Sequence, residues 1–415
     1  MTRSLTDYKV PVSVDNHSVG HKLEIEVLLQ ASRMIVSSSG EETIRNLLQQ
    51  GIDWDFLIRT AHYHRVIPLL YQTFCRVASD SVPEWVMVSL RKRFHANAQR
   101  NLFLLAELFQ ILDLLEEHHI PAIPYKGPIL SVVLYGDASL RQFSDLDIIV
   151  PSENVLEART LLVSRGYRHD KEISEKEFRS VIQNTKDLIL RRDDRITLEL
   201  HWGITENPNP IYIRPDFLWK NLKKLTISGR TVTMHAPEDL LFILCVHGGK
   251  HCWEYLVWLC DIAELIRCYP KLDWKQAIET ASSLRARRIL LLGLSLARNA
   301  LGAEIPDWIN ATIDGDHVVN ELGDQIRACL AGGTPLTLQQ GENQRYLMKL
   351  REHRSDRFLV AFWQAKHSLG LTERDKEILP SFPVLLYFIR PFRLAWEYGL
   401  RPFRSFFKGL IESWR

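Results

Sequence analysis

The sequence has few cysteines, no excess of either charge and no long apolar run. Six cysteines in 415 residues are too few for a disulfide scaffold, and the lack of any C-x-x-C pair argues against a thiolate zinc site. Lys plus Arg number 52 and Asp plus Glu 50, so a protein that coats nucleic acid is excluded, because a net charge of +2 cannot neutralise many phosphates. The longest apolar stretches, 289–297 and 383–389, are well short of the roughly 18 residues that a membrane-spanning helix needs. The polar N-terminus lacks the apolar core of a signal peptide, and we therefore predict a cytoplasmic protein without a transmembrane segment.

The spacing of apolar residues divides the chain into three parts. Residues 1–118 have mostly helical spacing, and residues 119–235 contain short apolar runs that predict four to six strands and at least two helices in an α/β or α+β core. We predict tight turns in this core at 191–194 and at 228–229. Helical spacing then returns, which predicts a C-terminal helical domain over 236–415. The content of 46% hydrophobic and 25% charged residues is typical of a globular protein, and the length suits two or three domains.

Three acidic residues on two predicted strands are the main chemical signal. Asp145 and Asp147 are one residue apart on a predicted strand, so both carboxylates point to the same face, with their Cα atoms about 7 Å apart. They can converge on one divalent cation such as Mg²⁺, and without a cation they repel, so that one of them tends to stay protonated. Glu199 alternates with leucines on a second strand and shares its face with His201. Three acids from two strands meet the minimum for a two-cation phosphoryl-transfer site.

Other residues nearby are suited to binding phosphate. Lys126 and Gly127 follow a short predicted strand and precede Pro128, a residue favoured in the first turn of a helix. The N-terminus of that helix offers free N–H groups to an anion, and a glycine allows close approach to the backbone. Arg141 could bind a phosphate with two hydrogen bonds, and Ser144 directly precedes the acidic pair.

The order of these motifs resembles the polymerase-β-like nucleotidyltransferase superfamily, and within it a bacterial family known mainly as uncharacterised nucleotidyltransferases. The residues that carry the resemblance are Lys126-Gly127, Arg141, Asp145-Leu146-Asp147 and Glu199-Leu200-His201-Trp202. Flanking segments at 64–71, 236–266 and 385–399 extend it over most of the chain. Better-known members of the superfamily carry Gly-Gly or Gly-Ser where this chain has Lys-Gly.

The resemblance implies an α+β fold, with a central mixed sheet of the polymerase-β-like type and helical regions on either side. It also implies that Asp145 and Asp147 hold Mg²⁺ (or Mn²⁺) on a nucleoside triphosphate, and that Glu199 completes a second metal site or acts as base. The implied reaction transfers a nucleoside monophosphate to an acceptor and releases pyrophosphate. The acceptor could be a small molecule, a sugar, a peptide or a protein. The alternative is a non-catalytic nucleotide-binding or scaffold protein that has kept the fold.

A second group of polar residues lies in the C-terminal helical region. Its members fall within about 80° of one another if 247–261 is one helix: His247, His251, Glu254, Trp258 and Asp261. Three interpretations are open: structural or interdomain hydrogen bonding, a wall of the substrate cleft, or the metal site of a hydrolase. The last lacks an H-E-x-x-H motif, because Gly248 stands where the glutamate should be. We also expect His201 to form part of the wall of the substrate cleft, since it lies beside the acids.

Two further features leave their interpretation open. Residues 52–54 and 272–274 read Ile-Asp-Trp and Leu-Asp-Trp, and each opens a predicted helix with an aspartate at the cap. They are either two independently capped helices or the trace of a repeat. The tail over 381–415 is aromatic-rich, with a local charge of +4. It either packs onto the helical domain or contacts a membrane surface or nucleic acid from outside.

Overall fold

A computed structural model describes residues 21–169, 175–205, 213–332, 335–336, 342–353 and 355–356. The described residues through 352 belong to one compact unit, in which a cluster of buried apolar side chains runs from the N-terminal helices through the sheet to the C-terminal helices. The predicted division into domains at 118 and 235 stays a prediction. The predicted tail over 381–415 lies outside the described residues.

Before residue 118, the regular elements that the structure describes are all helices. In order they are α1 (Lys22–Ala31), α2 (Ser38–Leu48), α3 (Trp54–Tyr63), α4 (Ile67–Val77) and α5 (Glu84–Glu117). Helix α5 has 34 residues and is therefore about 50 Å long. Its buried Asn101 donates hydrogen bonds to the carbonyl oxygens of Ala138 (2.6 Å) and Arg141 (2.8 Å). The long helix thus fixes the loop that leads into the predicted acidic strand.

The central region contains the strands. Its elements are β1 (Ile123–Pro124), α6 (Gly127–Tyr135), β2 (Leu146–Ile149), α7 (Val155–Ser164), α8 (Glu175–Asn184), β3 (Asp187–Arg192), β4 (Ile196–His201), β5 (Leu222–Ile227) and β6 (Arg230–His235). The four-stranded sheet has the order β1-β2-β4-β3, in which β2 and β4 are parallel and the other neighbours antiparallel. All four residues of β2 are buried, as expected for a central strand with a parallel neighbour. The predictions of an α+β fold with a mixed sheet and of a turn at 228–229 are confirmed. The turn predicted at 191–194 lies at 193–195, because Arg191 and Arg192 still pair with β4.

Helices return after β6, as predicted. They are α9 (Pro237–Lys250), α10 (Leu256–Cys268), α11 (Trp274–Ser283), α12 (Arg287–Leu301), α13 (Asp307–Gly315), α14 (His317–Leu330) and α15 (Glu342–Lys349). Within the described part of the chain, no helix combines the length and apolarity that crossing a bilayer requires.

The prediction that 247–261 is one continuous helical face is wrong. Helix α9 ends at Lys250, and Cys252 and Trp253 adopt left-handed backbone conformations with φ of 53° and 54°. The buried Trp253 ring folds back onto α9 at Gly248, where a Cβ atom would overlap the indole. The glycine therefore allows the chain to turn, so that α10 starts as a separate helix.

The two Asp-Trp corners have matching hydrogen bonds. The side chain of Asp53 accepts from the N–H of Phe56 and that of Asp273 from the N–H of Gln276, both at 2.9 Å. The backbone N–H of Asp53 donates to Glu24 (2.8 Å), and that of Asp273 donates to Glu238 (3.0 Å). Both aspartates are therefore helix caps, as predicted, and the two corners are also anchored in the same way to a preceding helix.

Candidate active site

Two carboxylates and an imidazole meet on the parallel pair of strands. The register of β2 and β4 places Asp147 opposite Glu199, and His201 follows two residues later on the same face of β4. Nε2 of His201 is 3.1 Å from Oδ1 of Asp147 and 3.2 Å from Oε2 of Glu199. One ligand atom from each of the three residues lies within 4.8 Å of the others, so the group could hold a metal ion.

Lys126 forms an ion pair with the most buried of the acids. Its Nζ atom is 2.8 Å from Oδ1 of Asp147, and the two side chains are 12% and 1% exposed. Burial alone would raise the pKa of Asp147, but the ammonium of Lys126 and the hydrogen bond with His201 hold it well below its usual range. The carboxylate in turn raises the pKa of Lys126 despite burial. Both partners are therefore charged at neutral pH.

The other two acids have different environments. Asp145 precedes β2 and is half-buried, and burial together with the charge of Asp147 raises its pKa. Glu199, whose side chain is 26% exposed, has a lowered pKa, chiefly because of its hydrogen bond with His201. The expected repulsion between Asp145 and Asp147 thus acts on Asp145, while Asp147 has a cationic partner.

The carboxylates fit a divalent cation. Oδ2 of Asp147 is buried and has no hydrogen-bond partner, although Oδ1 of the same group has two. A buried carboxylate oxygen without a partner is costly unless something compensates it. The charge of Asp145 reaches the same place, since it acts on the pKa of Lys126. An oxygen-preferring cation such as Mg²⁺ would supply what Asp147 Oδ2 lacks.

The start of α6 lies directly against this cluster. Lys126 is the N-cap residue of α6, and Gly127 has a φ of 57°, a conformation that favours glycine. A Cβ atom at Gly127 would be 3.1 Å from the carbonyl oxygen of Asp145. Ser144 is exposed, and its carbonyl oxygen accepts a hydrogen bond of 2.9 Å from Arg100. The free N–H groups of the first turn of α6 therefore lie close to the acidic strand.

Arg141 is paired with an aspartate outside the group of Asp145, Asp147 and Glu199. Its Nε and Nη2 atoms donate to the two carboxylate oxygens of Asp261 in α10, each at 2.8 Å, and the arginine is 5% exposed. The hydroxyl of Tyr135, at the end of α6, donates to the same carboxylate at 2.9 Å. This clamp joins the loop before β2 to α10, and it uses two residues for which we predicted nucleotide or substrate contacts. Those contacts stay predictions.

His247 in α9 and His251 just after it form a ring cluster despite the break in the helix. The ring centroids of His247 and His251 are 4.9 Å apart, and Trp258 lies 5.0 and 5.6 Å from them. Burial and then the charge of Lys126 lower the pKa of His247 well below its usual range, so the charge of Lys126 reaches this cluster. Among the described residues, the group with metal-ligand geometry is the one around Asp147, and these histidines are not part of it.

Some charged residues around the cluster were missed from the sequence. Nζ of Lys250 donates to the carbonyl oxygen of Ile204 at 3.3 Å, and burial with the charges of Lys186 and Lys126 lowers its pKa to about 7. Asp187 lies opposite His201 in the β3–β4 hairpin, and its Oδ2 is 3.6 Å from Nδ1 of that histidine. Asp187 pairs with His201 because the hairpin turns at 193–195, whereas the turn predicted at 191–194 would have paired Asp187 with Leu198. No local pattern indicates Lys250.

Arg65 approaches the same cluster from the N-terminal helices. It has a φ of 61° in the turn between α3 and α4, and its guanidinium lies 4.4 Å from the ring centroid of Tyr255. Its positive charge lowers the pKa of Asp145, although burial outweighs that effect. The cluster is therefore approached by cationic side chains from α9, from α6 and from this turn.

Comparisons with known proteins give one family model and two similar solved structures. A family model described as uncharacterised nucleotidyltransferase matches residues 50–302, more than half of the chain. The solution structure of the antibiotic-resistance factor ANT(2'')-Ia is similar with 14% identity and a TM-score of 0.33, over 45% of this chain and 94% of that one. The crystal structure of an antigenic nucleotidyltransferase-like protein from Paracoccidioides brasiliensis is similar with 18% identity and a TM-score of 0.28, over 48% and 91%. A search of the curated proteins gives no match.

Proposed function

The chain belongs to the uncharacterised nucleotidyltransferase family and is a nucleotidyltransferase, and from this membership we propose a divalent-cation-dependent reaction with an acceptor hydroxyl. A nucleoside monophosphate passes from a nucleoside triphosphate to that hydroxyl, and pyrophosphate leaves. One observation carries the proposal. Asp147 and Glu199 lie side by side on parallel strands, with Oδ2 of Asp147 buried and without a hydrogen-bond partner.

The acids bind the cation, and one of them also acts as the base in the transfer. Asp145, Asp147 and Glu199 would hold Mg²⁺ or Mn²⁺, which supplies neutralising charge to the attacking and leaving oxygens. The side chain of Glu199 is 26% exposed, against 1% for Asp147, and it accepts the proton of the acceptor hydroxyl. His201 keeps both carboxylates in place through Nε2, and Asp187 lies near its other ring nitrogen. Positioning of this kind matters because small displacements of a reacting group are costly.

The two substrates approach the acids from different elements. The N-terminus of α6, with Lys126 and Gly127, binds the phosphates, because free N–H groups and an ammonium meet there. The ring cluster of His247, His251 and Trp258 forms the acceptor side of the cleft. Its support is the influence of Lys126 on the pKa of His247. The acceptor is a small molecule, a sugar, a peptide or a protein.

Removal of single acids tests the proposal. Thermal stabilisation by each nucleoside triphosphate, with and without Mg²⁺, identifies the nucleotide, and pyrophosphate release is then measured with a pool of candidate acceptors. We expect Glu199→Gln to keep nucleotide binding and to lose at least about 100-fold in rate, because a general base typically contributes that much. Asp194→Asn, which removes an exposed acid from the β3–β4 turn, is the matched control and keeps full activity. Binding without pyrophosphate release in the unmodified protein would support the non-catalytic alternative instead.

A further inference from the structure

The hydrogen-bonding capacity of Asp147 Oδ1 is already used. A carboxylate oxygen has two lone pairs, and this one is 2.8 Å from Nζ of Lys126 and 3.1 Å from Nε2 of His201. A cation that binds between Asp147 and Glu199 needs oxygen lone pairs of both acids at about 2.1 Å. Oδ2 of Asp147 offers one contact, and a cation that also takes Oδ1 has to displace a donor from it.

Charge decides which donor leaves. Lys126 is an ammonium that stands against the carboxylate through which the cation would bind, and its side chain is only 12% exposed. A divalent cation placed beside it would repel it at short range, with little water to screen the two charges. His201 also touches Glu199, so it keeps a second partner if the contact with Asp147 loosens. Lys126 is therefore the donor that a cation displaces.

A displaced Lys126 has a new position close by. The residue is the N-cap of α6, where the free N–H groups of the first turn would receive the phosphates. Its four-carbon side chain can rotate without movement of the backbone, and an ammonium is a flexible point charge suited to phosphate. The same side chain can therefore neutralise Asp147 in one state and a phosphate in the other.

We propose that Lys126 is a built-in competitor for the catalytic cation: its ammonium occupies Asp147 in the free protein and moves to the nucleotide phosphates when the cation binds. The inference rests on the proposed function and adds a form of regulation to it. Cation alone then binds weakly, because it has to break the ion pair without offering Lys126 a new partner. Cation and nucleotide bind with positive coupling, since each favours the state that the other needs.

Titration with Mn²⁺ in the absence of nucleotide, followed by electron paramagnetic resonance, tests the competition directly. We compare the unmodified chain, Lys126→Met and Lys250→Met. The titrations are run at pH 6, where Lys250 is mostly protonated. The control Lys250→Met then removes a positive charge that acts on Asp147 and Glu199 from a distance, while Lys250 has its own hydrogen bond with Ile204. We expect Lys126→Met to bind Mn²⁺ at least about 10-fold more tightly and Lys250→Met to gain less than about 3-fold, where tenfold corresponds to about 1.4 kcal/mol.

A second variant guards against loss of folding. Lys126→Gln keeps a hydrogen-bond donor for Asp147 without the charge. We expect its gain in Mn²⁺ affinity to lie between the gains of Lys126→Met and Lys250→Met. In the unmodified chain, Mn²⁺ should also strengthen the binding of a non-hydrolysable nucleoside triphosphate, and Lys126→Met should lose most of this coupling. Circular dichroism and the melting temperature show that each variant is folded before the titration.

The pattern of affinities separates this inference from the proposed function. Equal gains in the Lys126 and Lys250 variants would mean that only the total charge matters, and the competition would be rejected while the transfer reaction stands. Weaker Mn²⁺ binding by Lys126→Met would also reject it, because Lys126 would then be part of the cation site. Absence of Mn²⁺ binding in every form, at millimolar free ion, would contradict both the competition and the metal dependence of the reaction.

Discussion

At the scale of single residues, Asp147 has the most constrained environment in the candidate site. It is 2% exposed and has an ammonium partner, a histidine partner and one oxygen without any partner. Repulsion between Asp145 and Asp147 predicts that removal of one of the two charges stabilises the metal-free protein. The ion pair with Lys126 reverses that expectation, because the neutral variant leaves a nearly buried ammonium without its anion.

We therefore expect Asp147→Asn to abolish transfer and to lower the free energy of unfolding at pH 7 by about 2–4 kcal/mol, as loss of one partner from a buried ion pair does. The folded pKa of Asp147 is lowered, so its stabilising contribution is complete above the unfolded pKa of about 3.9 and is lost as the pH falls below it. Urea denaturation of both forms between pH 3 and 7, the span in question, should show their difference in stability shrinking towards the acid end. A constant difference across that range would contradict the ion pair.

Lys250 gives a second prediction on the residue scale. Its pKa of about 7 means that the unfolded chain binds more protons than the folded one between pH 7 and the usual lysine value, so Lys250 contributes a rise in stability with pH over that window. We expect its side-chain signal, in ¹³C-methylated protein followed by NMR, to titrate near neutral pH. The resonance is assigned by its loss in Lys250→Met. Burial lowers this pKa most, the charges of Lys186 and Lys126 lower it further, and those of Asp147 and Glu199 oppose the shift.

At the scale of elements, the sequence predicted the strands and turns well because local signals coincide there. Alternating apolar residues and a charged turn specify β3 and β4, and the predicted strand after Ser144 is β2. The error over 247–261 came from a tertiary contact, since Gly248 and Trp253 are both compatible with a continuous helix until the indole packs against the glycine. The ion pair between Lys126 and Asp147 also lay beyond prediction, because no sequence pattern gives the distance from the start of α6 to β2.

The two Asp-Trp corners yield a prediction about elements. Loss of an aspartate cap typically costs about 1 kcal/mol, so Asp53→Ala and Asp273→Ala should each lower stability by that amount. Their effects should add in the double variant, because they cap different helices, α3 and α11. Asp55 is an exposed acid in the first turn of α3 and is not the cap residue, so Asp55→Ala is the matched control and should change stability by less. Denaturant midpoints are compared for these four variants and the unmodified chain.

At the scale of the whole described unit, the clamp of Arg141, Asp261 and Tyr135 ties the approach to β2 to the C-terminal helices. Sequence analysis assigned Arg141 to a phosphate, and for Asp261 it left both a substrate cleft and interdomain hydrogen bonding open. A pairing between residues 120 positions apart in sequence is visible only once the helices are packed. The shared hydrophobic cluster has the same origin, since apolar periodicity indicates which faces are buried but not which faces meet.

We expect Arg141→Met to lower the free energy of unfolding by about 3–5 kcal/mol, because it leaves a buried carboxylate unpaired. Arg141→Met combined with Asp261→Leu should recover a large part of that loss, since neither charge then remains buried. Urea denaturation of the unmodified chain, of Arg141→Met and of the double variant tests the clamp, and recovery of stability in the double variant is the decisive result. Nucleotide affinity of the restored double variant then reports on the predicted phosphate contact of Arg141 separately from stability.

The ion pair in front of β2 also has a consequence that follows from the order of residues along the chain. Lys126 and Asp147 both precede β4 in the chain, so their ion pair needs no residue of β4. The lysine thereby spares β2 an uncompensated acid in an apolar setting. Glu199 and His201 join a carboxylate that is already neutralised. The side chain that we propose as a competitor of the cation is thus also a partner for Asp147 that does not depend on β4.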